Sequence, residues 1–340
     1  MAFKKNVNLS KKKDFRVKKA KINNNAKDNV KRKKKITLSS EITPDYANEG
    51  INWFPGHMEK AFTEIQDKLK SVDIVLEIRD ARIPLASGNE LLGKSLGEKS
   101  RLILLNKVDL ADPKIITLWK IWFKNQGIPH LFINCFEKGS FKKVLKLTRQ
   151  IVDDKKKLSN PDSFKSSSQL KLMIVGIPNT GKSTIVNLLA NRTATRTGDH
   201  PGHTKSQQWI NVDNEFFLLD TPGLIPPDLK VEKHKLWLCA IHAVPDNVLG
   251  EELPAQLLLK YLIEIRSPCL LKRYKLDSFD LKIEEIIKKI SIFRGCLSKN
   301  GLPDFDRVYK LILMDFRAGE LGKHCFELPP EDRQPEERRG

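Results

Sequence analysis

The stretch GIPNTGKST (residues 176–184) constrains this chain more than any other. It fits G-x-x-x-x-G-K-S, with Gly176, Gly181, Lys182 and Ser183 in the required places. It follows the apolar run LKLMIVG (170–176) and opens a helical pattern over 182–190. That strand–loop–helix context separates a phosphate-binding loop from a chance match. The loop, with Pro178, Asn179, Thr180 and Thr184 between and after its glycines, is expected to wrap a polyphosphate. It does so at a helix start already favourable to anions. Lys182 is expected to reach the β- and γ-phosphates, and Ser183 to ligate Mg²⁺.

Downstream of this loop, LLDTPG (218–223) places Asp220 at a strand end and Gly223 three residues later. An aspartate there holds Mg²⁺ through water, and the glycine N–H approaches the γ-phosphate. Between them, HPGHTK (200–205) offers Thr204 as the residue that senses Mg²⁺ and γ-phosphate together. His200 and His203 lie three residues apart, but their Pro-Gly loop has no acidic or Cys partner, so no metal site is expected of them.

Upstream lies the anomaly. LLNKVDLAD (104–112) contains Asn106, Lys107 and Asp109 directly after an apolar run, about seventy residues before the phosphate loop. A carboxylate at Asp109 accepts from guanine N1–H and the exocyclic amine. Adenine offers an acceptor at N1 and no such amine, and a site built on buried hydrogen bonds rejects it strongly. Asn106 is expected to help at the base edge. NCFEKG (134–139), with Asn134 and Cys135, stands at a further strand end and presents backbone N–H groups for the guanine oxygen. Every part needed for Mg·GTP is present, in the order base, base, phosphate, switch, switch. Parallel strands can be reconnected without moving their ends, so the sequence encodes a circularly permuted GTPase.

The surrounding pattern agrees. Short apolar runs at 72–78, 101–105, 130–134, 170–175, near 208–212 and at 215–219 predict strands. Helical spacing follows Pro55-Gly56 (Met58, Ala61, Phe62, Ile65, Leu69) and recurs at 113–126 and 140–153. A polar linker is expected at 155–169. The alternation predicts an α/β fold with a mostly parallel, doubly wound sheet. Beyond about 230, helical spacing at 251–265, 279–293 and 305–318 predicts a smaller all-α domain. The expected organisation is a basic arm over 1–50, a GTPase domain over 51–230, a helical domain over 231–326 and a tail over 327–340.

Composition narrows the class. In 340 residues, 40% are hydrophobic and 30% charged, and no apolar run approaches the roughly 18 residues that span a bilayer. No secretory signal is expected, because the first residues lack an apolar h-region. The cysteines at 135, 239, 269, 296 and 325 have no paired spacing, which argues against a disulfide framework or zinc site. Net charge is +19, and residues 1–40 hold thirteen Lys and two Arg against Asp14 and Asp28, a net of +13. A basic arm with few large apolar residues is expected to be disordered alone and suits a nucleic-acid partner. It is equally a targeting segment: acid-poor like a mitochondrial leader, but Lys-rich, with KRKKK (31–35) also passing for a nuclear signal.

These motifs identify a family. From about 51 to 326 the chain resembles the YlqF-type circularly permuted GTPases that act in large ribosomal subunit assembly, above all their mitochondrial ribosome-associated members. The residues that carry the likeness are NWFPGHMEKA (52–61), DARIPL (80–85), NKVDL (106–110), GIPNTGKST, PGHTKSQQW (201–209), DTPGL (220–224) and DFRAGELG (315–322).

The resemblance implies more than the spacing does. Leu224 stands where many GTPases carry a water-orienting glutamine, and the matching family position for that role is His57. Asn179 matches the asparagine associated with K⁺ activation, where K⁺ supplies charge otherwise given by an arginine finger. The helical domain resembles the rRNA-contacting module, with Lys272, Arg273, Lys275, Arg294, Lys299, Arg307 and Arg317 as candidates. It further implies GTP/GDP and Mg²⁺ as ligands and the large ribosomal subunit with its rRNA as partner. A monomer in the mitochondrial matrix, associated peripherally with the inner membrane, is expected. A cytosolic or nucleolar assembly GTPase, an RNA-binding scaffold with GTP as a structural ligand, and an ATP-dependent P-loop enzyme stay open as alternatives. Asp80 and Arg82, in DARIPL, read either as a structural ion pair beside the pocket or as catalytic groups.

Overall fold

A run of buried apolar residues cannot sit at a solvated sheet surface, and β4 (Leu170–Gly176) carries one over 172–175, while its neighbour β1 (Ile74–Asp80) is buried along its whole length, Glu77, Arg79 and Asp80 included. The computed structural model describes residues 56–88, 93, 95–97, 99–159, 161, 169–191, 209–212, 215–219, 221 and 232–330. The arm 1–50, Thr204, the two loop histidines, Asp220, Gly223, Leu224 and the last ten residues lie outside them. The other strands are β2 (Ser100–Asn106), β3 (His130–Phe132), β5 (Trp209–Val212) and β6 (Phe216–Leu219). Their order is β3-β2-β1-β4-β6-β5, all parallel except β5, which runs antiparallel to β6 at one edge.

The chain thus starts in the middle of the sheet, steps outward through β2 to β3, returns to the middle at β4 and then fills the other side. The reversal lies between β1 and β4, and ligands of open α/β sheets bind at the strand C-termini at such a point. In register, Asp80 is beside Asn106, and Ile78 beside Gly176, so the base-side and phosphate-side motifs end at one rim.

Both faces of the sheet are covered, and buried apolar residues point to each of them. Leu76, Ile78, Leu102, Leu104, Leu172 and Ile174 pack on α3 (Ser140–Ser159) and α4 (Lys182–Asn191). On the opposite face Val75, Met173, Val175 and Leu219 meet α1 (Gly56–Leu69), while Ile103 and Leu105 meet α2 (Pro113–Asn125). Each such fully buried Leu or Ile stabilises by about 1.5–3 kcal/mol, and a charge at Leu76 or Ile174 would break the sheet. α2 starts where Asp112 accepts from the Lys114 N–H and Pro113 occupies the first turn.

After the sheet come α5 (Glu232–Ala240), α6 (Asp246–Leu249), α7 (Glu252–Glu264), α8 (Pro268–Tyr274), α9 (Ile283–Arg294) and α10 (Phe305–Arg317). The spacing had pointed to α7, α9 and α10 alone. α5, α6 and α8 are too short for a 3.6-residue period to declare itself. α9 begins at Ile283 rather than 279, after the turn region LDSFD (276–280), and α3 runs on to Ser159, into the expected linker. Its last turn is lysine-rich, which suits a helix C-terminus, and the first breaker is Pro161.

A strap after α10 ties these helices to the sheet rim. The Phe326 N–H donates to the Arg82 carbonyl (2.9 Å) and the His324 N–H to that of Leu110 (3.0 Å). Phe326 stacks on Trp237 at 3.9 Å and packs edge-on to Tyr261. The Glu327 carboxylate accepts from the N–H groups of Leu85 (2.7 Å) and Ala86 (2.9 Å), just after β1. Burial pushes that carboxyl up to about 7, against the pull of these two donors and of Arg79. All five cysteines are free; burial pushes Cys239 and Cys325 up to about 12, so both thiols stay neutral.

Candidate functional site

At the rim between β1, β2 and β4 lies a cavity of about 360 Å³. Its base side is built by the turn after β2. Lys107 adopts the left-handed conformation (φ 60°), which bends the chain into a short 3-10 turn, Val108–Leu110. Asp109 is thereby presented at the cavity wall, and no described residue engages its carboxylate. Asn134, Cys135 and Phe136 form the adjoining wall, where the Asn134 side chain accepts from the Phe136 N–H (2.9 Å) and fixes the turn. Burial raises the Cys135 thiol above its ordinary range, and its backbone N–H is donated to the Asn106 amide oxygen.

The phosphate side is the loop after β4. Gly176 has φ 154°, and a Cβ on it would run into the Ile78 carbonyl of the neighbouring strand. Gly181 has φ 102°, and a Cβ there would collide with the Asn106 amide nitrogen. Only glycine permits the loop to come this close. Among the described residues, no group accepts from the N–H of Gly181, Ser183 or Thr184. Three unanswered donors at a helix start form a ready anion cradle. The buried Lys182 ammonium donates to the Ile177 carbonyl at 2.9 Å.

The two sides brace each other. The Asn106 amide donates to the Thr180 carbonyl (2.9 Å) and accepts from the Cys135 N–H (3.1 Å). Both ends of the Asn106 amide thus hold the three loops in register, and its second N–H is not used by these two bonds. The Lys107 ammonium donates to the Asn179 carbonyl (2.6 Å) and lies 3.3 Å from the Asp80 carboxylate. Asp80 also receives the Arg82 guanidinium at 3.0 and 2.8 Å and the Arg82 N–H at 3.0 Å. Burial alone would raise the Asp80 carboxyl, but Arg82 and Lys107 outweigh it and hold the carboxyl at about 2. The geometry is that of a buried ion pair under the cavity.

Of the residues expected at the nucleotide, Asn106, Lys107, Asp109, Asn134, Cys135, Asn179, Gly181, Lys182, Ser183 and Thr184 line the cavity together. Gly176, Pro178 and Thr180 do not. Gly176 serves strand approach, and the Thr180 hydroxyl is turned into the loop, donating to the Ile177 carbonyl (2.9 Å). His57 lies in the first turn of α1.

Two of the four chief RNA candidates have their charges paired within the protein. The Arg317 guanidinium donates to the carbonyls of Cys239 and Ala240 and to both oxygens of Asp246, and it lines the cavity. Arg273 is spent on Asp315 (2.6 and 2.9 Å) and Glu320 (3.1 Å). Lys272 is exposed and Arg294 half-buried. Residues missed from the sequence are Leu110 and Phe136, the latter 78% exposed at the cavity lip. An aromatic directly after the guanine-side loop residues was the available signal.

A parallel α/β sheet, a phosphate loop at its reversal point and an NKVD turn braced against that loop define a GTPase, here in circularly permuted order. The family model described as 50S ribosome-binding GTPase matches residues 171–289. Ribosome biogenesis GTPase A of Priestia megaterium is 38% identical over 285 residues, covering 84% of this chain and 99% of that protein. Mitochondrial ribosome-associated GTPase 1 of Bos taurus is 32% identical over 302 residues, covering 83% and 90%. The crystal structure of GNP-bound YlqF from T. maritima matches with a TM-score of 0.56 at 29% identity, covering 79% of this chain and 98% of that one. The chain belongs to the ribosome biogenesis GTPase A (YlqF) family, and it is a GTPase.

Proposed function

We propose that this GTPase assists assembly of the large ribosomal subunit, in mitochondria, as a GTP-dependent timer. The observation that carries the nucleotide reading is the braced cavity, with a free carboxylate at Asp109 on one wall and unanswered N–H donors at Gly181, Ser183 and Thr184 on the other. Asp109 reads the guanine edge, and Lys182 neutralises the β- and γ-phosphates. Ser183, together with Thr204 and Asp220 outside the described residues, would hold Mg²⁺, which supplies positive charge to the phosphates when bound. The Asn179 side chain donates its N–H to the His242 carbonyl and leaves its oxygen unengaged by any described group, which suits K⁺. His57 orients the attacking water in place of Leu224.

Residues 51–230 then act as the GTPase domain and 231–326 as the responding helical domain. Because the order is permuted, the segment ending at Leu224 runs through 225–233 directly into α5. Loss of the γ-phosphate frees Thr204 and Gly223 and reorients the helices. The names of the bacterial and vertebrate relatives support the ribosomal role, and the vertebrate names together with the acid-poor basic arm support mitochondria. Sedimentation of the full chain with large ribosomal subunits tests this. Retention with a non-hydrolysable GTP analogue and release with GDP are expected, whereas equal retention in both states removes the timer. Imaging a tagged full chain tests the compartment.

A further inference from the structure

Helix α3 carries lysines at both ends, and the two ends account for them differently. At its C-terminus Lys155, Lys156 and Lys157 sit where the macrodipole favours cations. Lys156 also pairs with Asp73 at 3.7 Å, and Asp153 and Asp154 lie alongside in sequence. At its N-terminus the same macrodipole opposes positive charge, yet Lys142, Lys143 and Lys146 occupy the first two turns, with Lys138 in the loop before. All four are exposed, and none of their side chains has a hydrogen-bond or ion-pair partner among the described residues. Between 136 and 152 the only acidic residue is Glu137. Helix stability does not explain this cluster.

The cluster borders a groove of about 560 Å³ between α3 and the start of β6, walled by Lys142, Lys146 and Arg149, with Phe216 beneath. Arg149 lies over the Phe216 ring at 5.1 Å and answers Glu215 at 3.3 Å, and Asp153 closes the far end. Lys142 and Lys146 stand one helical turn apart, about 6 Å along the axis. The loop that precedes them, residues 134–139, is the same loop that walls the guanine side of the cavity.

We infer that the N-terminal half of α3 is an RNA-docking surface of the GTPase domain, in which Lys142, Lys143 and Lys146 engage successive phosphates of ribosomal RNA. This rests on the proposed ribosomal role and deepens it. It also moves the electrostatic contact away from Arg273 and Arg317, whose charges are already answered within the protein. RNA bound here abuts the guanine-side loop, so docking and nucleotide occupancy share one element.

The test uses the full chain with a non-hydrolysable GTP analogue, titrated against large ribosomal subunits and against protein-free large-subunit RNA. The triple variant Lys142→Glu, Lys143→Glu, Lys146→Glu is expected to bind both about tenfold or more weaker, with the slope of log affinity against log salt reduced by about 2–3. Lys142→Gln, Lys143→Gln, Lys146→Gln is expected to move the same way, which covers misfolding of the reversed-charge form. Lys155→Glu with Lys157→Glu should stay within about twofold, and basal GTP hydrolysis should be unchanged in all three. Triple variants that bind subunits like the wild type would overturn the inference and leave the ribosomal role standing. Loss on subunits with unchanged binding to free RNA would overturn it in favour of a protein contact. Wild type binding neither subunits nor RNA would remove the ribosomal reading itself.

Discussion

Two carboxylate–guanidinium clusters anchor this molecule, and they are built for different loads. Beneath the nucleotide cavity, Asp80 is fully buried and faces two cations, Arg82 and Lys107, while Arg82 rests over the Phe316 ring at 5.1 Å. In the helical layer, Asp315 faces Arg273 and the Tyr274 hydroxyl (3.0 Å), and Arg273 keeps access to water. The first cluster sits at the reversal of the sheet and passes through Lys107 to the phosphate loop. The second closes α8 onto α10 and reaches no loop of the cavity. Burial depth sets the electrostatic stakes, because an ion left unpaired away from water costs far more than one that water can reach. Connectivity decides whether the cost is felt as stability or as nucleotide affinity.

Removing one charge from each cluster sharpens the contrast. Asp80→Asn strands two cations under the cavity. It is expected to cost about 3–5 kcal/mol in urea unfolding and to weaken GDP binding as Lys107 loses its anchor. Acid probes the same cluster without mutation. The Asp80 carboxyl lies at about 2 in the folded protein, below its ordinary 3.8. Its contribution is therefore complete above about pH 4 and lost as the pH falls towards 2, a span worth about 2 kcal/mol. A pH series of unfolding should show that loss in the wild type and not in Asp80→Asn.

Asp315→Asn is expected to cost less, about 1–2 kcal/mol, because Arg273 is screened by water, and to leave GDP affinity unchanged by calorimetry. An equal loss of GDP affinity in Asp315→Asn and Asp80→Asn would erase the distinction between the clusters. Smallest in stability is Lys107→Met, under about 1 kcal/mol for a partly exposed cation. It should nevertheless weaken GDP by about tenfold, since it removes the brace to Asn179. If Lys107→Met changed stability and not GDP affinity, the functional load would lie elsewhere than in this brace.

The helical layer was the less legible half in the sequence. DFRAGELG marks the family, and the structure gives each part a packing duty. Asp315 holds Arg273, Phe316 supports Arg82, Arg317 closes the turn at 239–246, and Gly319 passes so near Leu110 that a Cβ would clash. Reading Arg317 as an RNA contact was natural from its charge and wrong in its placement, since its partners Cys239, Ala240 and Asp246 lie more than seventy residues away in the chain. The strap was invisible for the same reason, as it has no periodicity and is recognised only by what it ties.

What the chain determines by itself is short-range. The apolar runs that make buried strands, the glycines that let a loop turn onto a phosphate, and the order of NKVD before GIPNTGKST all follow from neighbours within a few residues. That order already required a permuted sheet. Tertiary structure alone decided which polar groups spend their hydrogen bonds on each other. Asn106 serves as a brace because folding brings it to Thr180, 74 residues distant. Glu327 caps the loop after β1 from 242 residues away. Such pairings pay loop-closure entropy that only the assembled sheet can offset. They leave no periodic trace in the residues that make them.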